Sequence, residues 1–236
     1  MAYTINTNYT AKYYGSQRTI NKIKYIVVHY TANSGTTATA KGNANYFANA
    51  TRKASAHYVV DENSIIYQCV PDNYVAWSVG DNQKYTHGGA SMKGIIINTN
   101  SISIEMVSHS DSNGNYYIPN ETINHTIELI KSLQKKYNIS NDNIYTHWHV
   151  TGKLCPKPFI DDKSKWEEFK NRISGLGEEE VVQKYNKVSE LPKSLQKEIQ
   201  ELIDAGALKG DEKGNLNITE DMARCLIINK RYVDNK

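Results

Sequence analysis

Apolar and polar positions along the chain change period several times, and each change marks an element. Residues 23–30 form a short, β-branched run that predicts a buried strand ending on His29 and Tyr30. Residues 37–52 place Ala40, Ala44, Phe47 and Ala48 on a narrow apolar stripe at helical spacing. Residues 56–61 and 65–70 read as two strands, with Asp61-Glu62-Asn63-Ser64 as the turn between them. Residues 101–107 alternate, so Ser101, Ser103 and Glu105 share one strand face while Ile102 and Ile104 share the other. Residues 121–137 repeat Ile123, Ile127, Ile130, Leu133 and Tyr137 on one helical face. A short strand at 144–145 feeds the segment beginning at His147, and a further helix is read over 161–173. The first 19 residues are polar and tyrosine-rich and read as a surface arm. Residues 71–94 form a long irregular stretch, a length that is often functional.

The pattern stops at Ser174-Gly175-Leu176-Gly177-Glu178-Glu179-Glu180, where two glycines and a charge run predict a linker. Beyond it lie two amphipathic helices, residues 193–205 and 220–231. Gly206 is expected to cap the first and Thr219 to open the second. The organisation read is therefore a domain over 1–174, a linker over 175–183 and a small helical domain over 184–236. The first is an α/β domain, a central mixed β-sheet flanked by helices with a cleft. So small a second domain has a thin core, and docking to a partner or oligomerisation would support it.

Composition narrows the class. Apolar residues make up 39% and charged residues 22%, ordinary for a globular protein. No run approaches the roughly 18 apolar residues that span a bilayer. Residues 1–6 lack a basic start followed by an apolar core, so no secretory signal is read. The net charge of +3 divides unevenly: residues 1–177 hold 18 Lys/Arg against 13 Asp/Glu, and residues 178–236 hold 10 against 12. No Lys/Arg cluster tracks a single element, which argues against nucleic acid. Three scattered cysteines do not form a disulfide framework. Cys69 and Cys225 read as small buried hydrophobes.

Chemistry concentrates in Thr146-His147-Trp148-His149-Val150-Thr151-Gly152-Lys153-Leu154-Cys155-Pro156. One imidazole from this segment, Cys155 as thiolate and His29 from the buried strand make a zinc set with one coordination position open. An open position distinguishes catalytic from structural zinc, and it lowers the pKa of bound water to roughly 7. The segment is read as an extended loop in which only one of His147 and His149 faces the metal. No His-Glu-x-x-His motif is present, which disfavours the common zinc peptidases.

Five segments in order carry a specific resemblance: the strand ending in His29, Ser55-Ala56-His57-Tyr58-Val59-Val60-Asp61, Val75-Ala76-Trp77-Ser78-Val79-Gly80, Asn100-Ser101-Ile102-Ser103-Ile104-Glu105, and His147 to Pro156. Together they resemble the type 2 zinc-dependent N-acetylmuramoyl-L-alanine amidases, a family that includes phage endolysins and bacterial autolysins. The resemblance implies Zn2+ held by His29, His147 and Cys155, with His149 outside the ligand set. It implies Glu105 as general base and Lys153 as oxyanion donor, acting through metal-activated hydroxide on the amide between N-acetylmuramic acid and L-alanine. Trp77, Tyr46, His57 and Asn100 are expected to line the groove for peptidoglycan. The chain departs from the family at three places. Ser78 stands where many relatives have histidine, Ala56 where some have a tyrosine with an acid/base role, and His149 where aspartate is common. The rival reading is a non-catalytic peptidoglycan recognition protein of the same fold. The C-terminal helices loosely resemble a surface-layer homology module, with Leu216 where the connector usually has an aromatic. With no signal read, the expectation is a cytoplasmic lysin of phage or prophage origin, released to act on the wall.

Overall fold

The computed structural model describes residues 3–34, 38–81, 83–176 and 184–234. The chain divides into two compact units, Met1–Gly177 and Glu178–Lys236. The linker expected over 175–183 lies mostly outside the described residues.

Among the described residues, the first unit carries eight strands and five α-helices. They are β1 (Thr4–Asn6), β2 (Tyr25–Tyr30), α1 (Ala40–Ala48), β3 (Tyr58–Val60), β4 (Ile65–Gln68), β5 (Ser101–Met106), β6 (His109–Ser110), β7 (Tyr116–Tyr117), α2 (Asn120–Tyr137), β8 (Ile144–Thr146), α3 (His147–Thr151), α4 (Lys157–Asp161) and α5 (Lys163–Ile173). The main sheet runs β1-β4-β3-β5-β2-β8. Every neighbouring pair in it is parallel except β3 and β4, so the sheet is mixed.

Strand alternation sorts the side chains onto two faces. Ile26, Val28, Tyr58, Val60, Ile102, Ile104 and Ile144 pack with Ile127, Ile130 and Leu133 of α2, Phe159 of α4 and Phe169 of α5. On the other face, Ala40, Ala44 and Phe47 of α1 meet Val59, Tyr67 and Cys69. Val27 there packs against Val79, Ile96 and Val150. The sheet is thus covered on both sides, as parallel sheets must be. One end of it, where β2, β5 and β8 finish, stays free for chemistry.

Three sequence expectations need correcting. The first residues are not a surface arm, because Thr4–Asn6 adds a parallel edge strand to β4. Arg18 is 6% exposed and donates to the carbonyls of Asp72, Asn98 and Ser101. The helix read over 161–173 starts later and follows a separate turn. Asp162 is extended (φ −129°) and its carboxylate accepts the Ser164 amide, which caps α5. Cys225 is exposed rather than buried, while Cys69 is enclosed and its thiol is pushed up to about 12 by burial.

A polar hub ties β3 to the end of α2. The Asp72 carboxylate accepts from the Tyr58 hydroxyl at 2.6 Å, the Tyr137 hydroxyl at 2.5 Å and the Lys136 ammonium at 3.0 Å. Asn138 closes α2 in the left-handed region, φ 53°, and its N–H returns to the Gln134 carbonyl.

The second unit has its own core. β9 (Lys184–Tyr185) pairs antiparallel with β10 (Ile218–Thr219), beside α6 (Lys193–Asp204) and α7 (Glu220–Asp234). Leu195, Ile199, Ile218, Ala223 and Ile227 form its centre, and Arg231 of α7 pairs with Glu198 of α6. Thr219 accepts the Met222 amide as the expected cap. Because each unit encloses its own apolar centre, residues 1–176 alone should unfold in one cooperative transition with native near-ultraviolet circular dichroism. A truncated chain that lacks that signal would show that the first unit depends on the second.

Candidate metal centre

The register of the parallel strands builds the site. β2 and β5 pair with His29 directly opposite Glu105, so the two side chains leave the same sheet face side by side. β8 pairs with β2 through Val28 and Thr146, which delivers the next residue, His147, to the same end. There the chain turns sharply into α3. The Thr146 hydroxyl accepts the His149 amide, so Thr146 is the N-cap and His147 the first helical residue. Gly152 ends α3 in the left-handed region, φ 79°. The chain then folds back, and the Trp148 N–H donates to the Cys155 carbonyl at 3.0 Å.

Ligand atoms of His29, His147 and Cys155 lie within 4.8 Å of one another, and all three residues are buried. Cys155 Sγ is 3.8 Å from His29 Nδ1, and the two imidazole centroids are 4.6 Å apart. Metal–sulfur and metal–nitrogen bonds of about 2.3 Å and 2.0–2.1 Å at tetrahedral angles place such atoms roughly 3.5 Å apart. The Nε2–H of His147 donates to the Val79 carbonyl at 3.2 Å, which leaves the Nδ1 lone pair pointing into the cluster. A ligating histidine anchored through its other nitrogen is the usual arrangement.

The donor set has the chemistry of a metal site. His29 Nε2, His147 Nδ1 and Glu105 Oε2 are buried without hydrogen-bond partners. Each such orphan costs about 1–3 kcal/mol. Burial, then His147 and Lys153, drives the His29 imidazole well below its ordinary pKa. Burial and then Lys153 bring His147 to about 3, so both rings are neutral and able to ligate. Burial and then Glu105 push the Cys155 thiol up, against a hydrogen bond from the Tyr30 backbone. A cation reverses that balance and draws out the thiolate. The three residues therefore fit zinc with one position open.

Glu105 is half-buried beside them. Burial pushes its carboxyl up to about 8, and the Lys153 charge opposes the shift. Lys153 is exposed, two residues before Cys155. Tyr30, which the sequence reading passed over, also borders the centre; burial and then Cys155 raise its phenol to about 12.

The other expected residues lie elsewhere or serve the frame. His57 is fully buried, so it does not line a groove. Its Nδ1 accepts the Ser103 amide at 3.1 Å and its Nε2–H donates to the Tyr74 carbonyl, with Arg18 Nη2 at 2.9 Å. Burial and then Arg18 bring that ring to about 3. Asn100 stands at the opposite end of β5 from Glu105 and shapes its own loop, donating to the Ile95 carbonyl and accepting the Ile97 amide. Trp77 is half-buried with its indole against Gly15, and Tyr46 is exposed on α1. The segment carrying His147 and His149 is a helix, not an extended loop. A strand would have put both rings on one face, whereas two helical residues separate them by about 200°. His149 Nδ1 lies 2.7 Å from the Thr146 hydroxyl, and its ring packs on Tyr145 and Trp166.

Comparison with known proteins shows what this chain is similar to. Residues 19–158 match the family described as N-acetylmuramoyl-L-alanine amidase. N-acetylmuramoyl-L-alanine amidase CwlL of Bacillus licheniformis is 37% identical over 169 residues, 69% of this chain and 44% of that protein. Among solved structures, the catalytic domain of XlyA superposes with a TM-score of 0.55 at 29% identity, covering 75% of this chain and 99% of that one. A mutant endolysin from Bacillus subtilis gives 0.52 at 31% identity, covering 75% and 100%. The match thus takes in less than half of CwlL and nearly all of each solved domain.

Two outcomes test the centre. Cys155→Ser should lower zinc affinity by about tenfold or more, because a hydroxyl does not ionise beside a cation as a thiol does. His149→Ala should keep roughly one zinc per chain, as measured on dialysed protein. Loss of zinc from His149→Ala with retention by His147→Ala would overturn the ligand set.

A further outcome concerns Glu105 in metal-free protein. Its pKa rises from 4.5 unfolded to about 8 folded, so the fold holds the proton more tightly. Stability from this group is present below the unfolded value and is lost as pH rises through that window. Glu105→Gln should therefore flatten the decline in urea stability between about pH 5 and about pH 8. Parallel slopes for the two proteins would contradict the burial of this carboxyl.

Proposed function

The chain belongs to the N-acetylmuramoyl-L-alanine amidase family, and we propose that it is a zinc-dependent enzyme hydrolysing the amide between N-acetylmuramic acid and L-alanine in peptidoglycan. The observation that carries this reading is the convergence of His29, His147 and Cys155 within 4.8 Å, with Glu105 on the adjoining strand. Zinc, when bound, supplies Lewis acidity and lowers the pKa of a coordinated water to roughly 7.

The remaining work falls to the chain's own groups. Glu105 takes a proton from the attacking water and returns it to the departing amine of L-alanine. Burial raises its carboxyl in the metal-free site, and a bound cation draws it back down, toward the range in which a carboxylate both accepts and returns a proton. Lys153 places its ammonium near the carbonyl oxygen that becomes negative during attack. Its nearness is supported by its charge acting on His29, His147 and Glu105 together. The Val79 carbonyl fixes the His147 tautomer, and Thr146 fixes where α3 begins. Cys155 is committed to the metal, so no acyl-enzyme forms.

The likeness to a solved endolysin supports a lysin of phage or prophage origin, held in the cytoplasm until release and then acting on the wall. Among the described residues no helix is long and apolar enough to cross a membrane. Residues 184–236 are assigned to holding the enzyme on the wall, with pairing of copies through this unit as the other role.

Purified peptidoglycan digested with the protein should yield a new amino terminus on L-alanine, read by mass spectrometry. Glu105→Ala should keep its zinc while turnover falls by roughly 10²–10⁴. Wall binding without that product would favour the recognition-protein reading, and near-full turnover in Glu105→Ala would remove Glu105 from the chemistry.

A further inference from the structure

Between Val79 and Ile96, which both pack in the core, the chain makes a largely exposed detour. Residues 83–89 are all exposed, yet their backbone is fixed to α3 at several points. The Tyr85 N–H donates to the Thr151 carbonyl at 2.8 Å, and the Ala90 and Met92 amides donate to the carbonyls of Trp148 and His149. In return the Trp148 indole N–H donates to the His87 carbonyl at 3.1 Å. Two glycines permit the close approach. A Cβ at Gly89 would lie 2.5 Å from the Trp148 carbonyl oxygen, and one at Gly152 would lie 2.4 Å from that of Gly88. An exposed segment fixed this firmly is a display surface, built on the helix that begins with His147.

What it displays is a pair of aromatic rings. Tyr85 and His87 are nearly parallel, 19° between planes, with centroids 6.5 Å apart. At a plane spacing of about 3.5 Å that separation slides the rings past each other by roughly 5.5 Å. Neither ring face is therefore consumed by the other. Tyr85 is held at both ends, its amide on α3 and its hydroxyl donating to Gln83 Oε1 at 2.9 Å. A ring already fixed loses little entropy when a ligand covers it.

We propose that Tyr85 and His87 form a platform for a pyranose ring of the glycan strand, a subsite that rests on the amidase reading. Aromatic faces carry partial negative charge and suit the weakly positive axial C–H groups of a sugar. The loop joins α3 at Thr151–Gly152, immediately before Lys153, the residue assigned to the reacting carbonyl. That carbonyl belongs to a sugar substituent, which puts a pyranose ring within a few bonds of it.

The test uses the full chain and a soluble glycan tetrasaccharide of alternating N-acetylglucosamine and N-acetylmuramic acid without stem peptides, titrated by calorimetry. Tyr85→Ala should weaken binding by about tenfold, while Tyr85→Phe, which keeps the ring face, should bind like the parent. His87→Ala should also weaken it. Equal affinity in Tyr85→Ala, or equal loss in Tyr85→Ala and Tyr85→Phe, would overturn the platform. So would tetrasaccharide binding that is absent in the parent while a free stem peptide binds through Tyr85. Failure to release the L-alanine amine from peptidoglycan would instead strike the amidase reading, whatever the tetrasaccharide does.

Discussion

Parallel pairing in one fixed register is the constraint on which this molecule depends. With β2 between β5 and β8, His29 stands opposite Glu105, and Thr146 stands opposite Val28 so that His147 follows at the strand end. A one-residue slip of β5 would send Glu105 into the aliphatic face and Ile104 toward the metal ligands. The register is held by Ile26, Val28, Ile102, Ile104 and Ile144, all buried against α2, α4 and α5. The core and the chemistry are thus two faces of the same strands, and apolar packing on one side sets the geometry on the other.

The burial that makes the centre reactive also makes it costly. Two histidines, a cysteine and a glutamate are gathered where three of their polar atoms have no protein partner. Such an arrangement persists when a bound ion satisfies it, so metal affinity and folding free energy are linked in this domain. The same low-dielectric surroundings keep the imidazoles neutral and hold the Glu105 proton near neutrality. Lys153 adds a positive charge beside the group, lowering the histidines and Glu105 together.

Much of this was legible in the residue pattern, for physical reasons that can be named. β2, β5 and α2 declare themselves by period and β-branching, and the ligands by residue type and family order. The failures are equally instructive. Thr4–Asn6 has too few residues to show a period and becomes a strand only because β4 offers an edge. His57 and Asn100 sit in family segments, yet their side chains serve the frame; a polar residue inside a motif does not reveal which way it faces. Cys225 falls at an apolar-looking position of α7 but on its exposed side, since the apolar stripe there is wider than the buried one. The Tyr85–His87 pair left no periodic signal, because an irregular loop is ordered by its contacts with α3 rather than by its own sequence.

Zinc-edge X-ray absorption on the zinc-loaded protein tests the central claim most directly. The account predicts one sulfur scatterer near about 2.3 Å, two imidazole nitrogens near about 2.0–2.1 Å and one further light atom in the open position. A spectrum without sulfur, or one whose four positions are all filled by protein nitrogen and sulfur, would contradict an open site built from His29, His147 and Cys155.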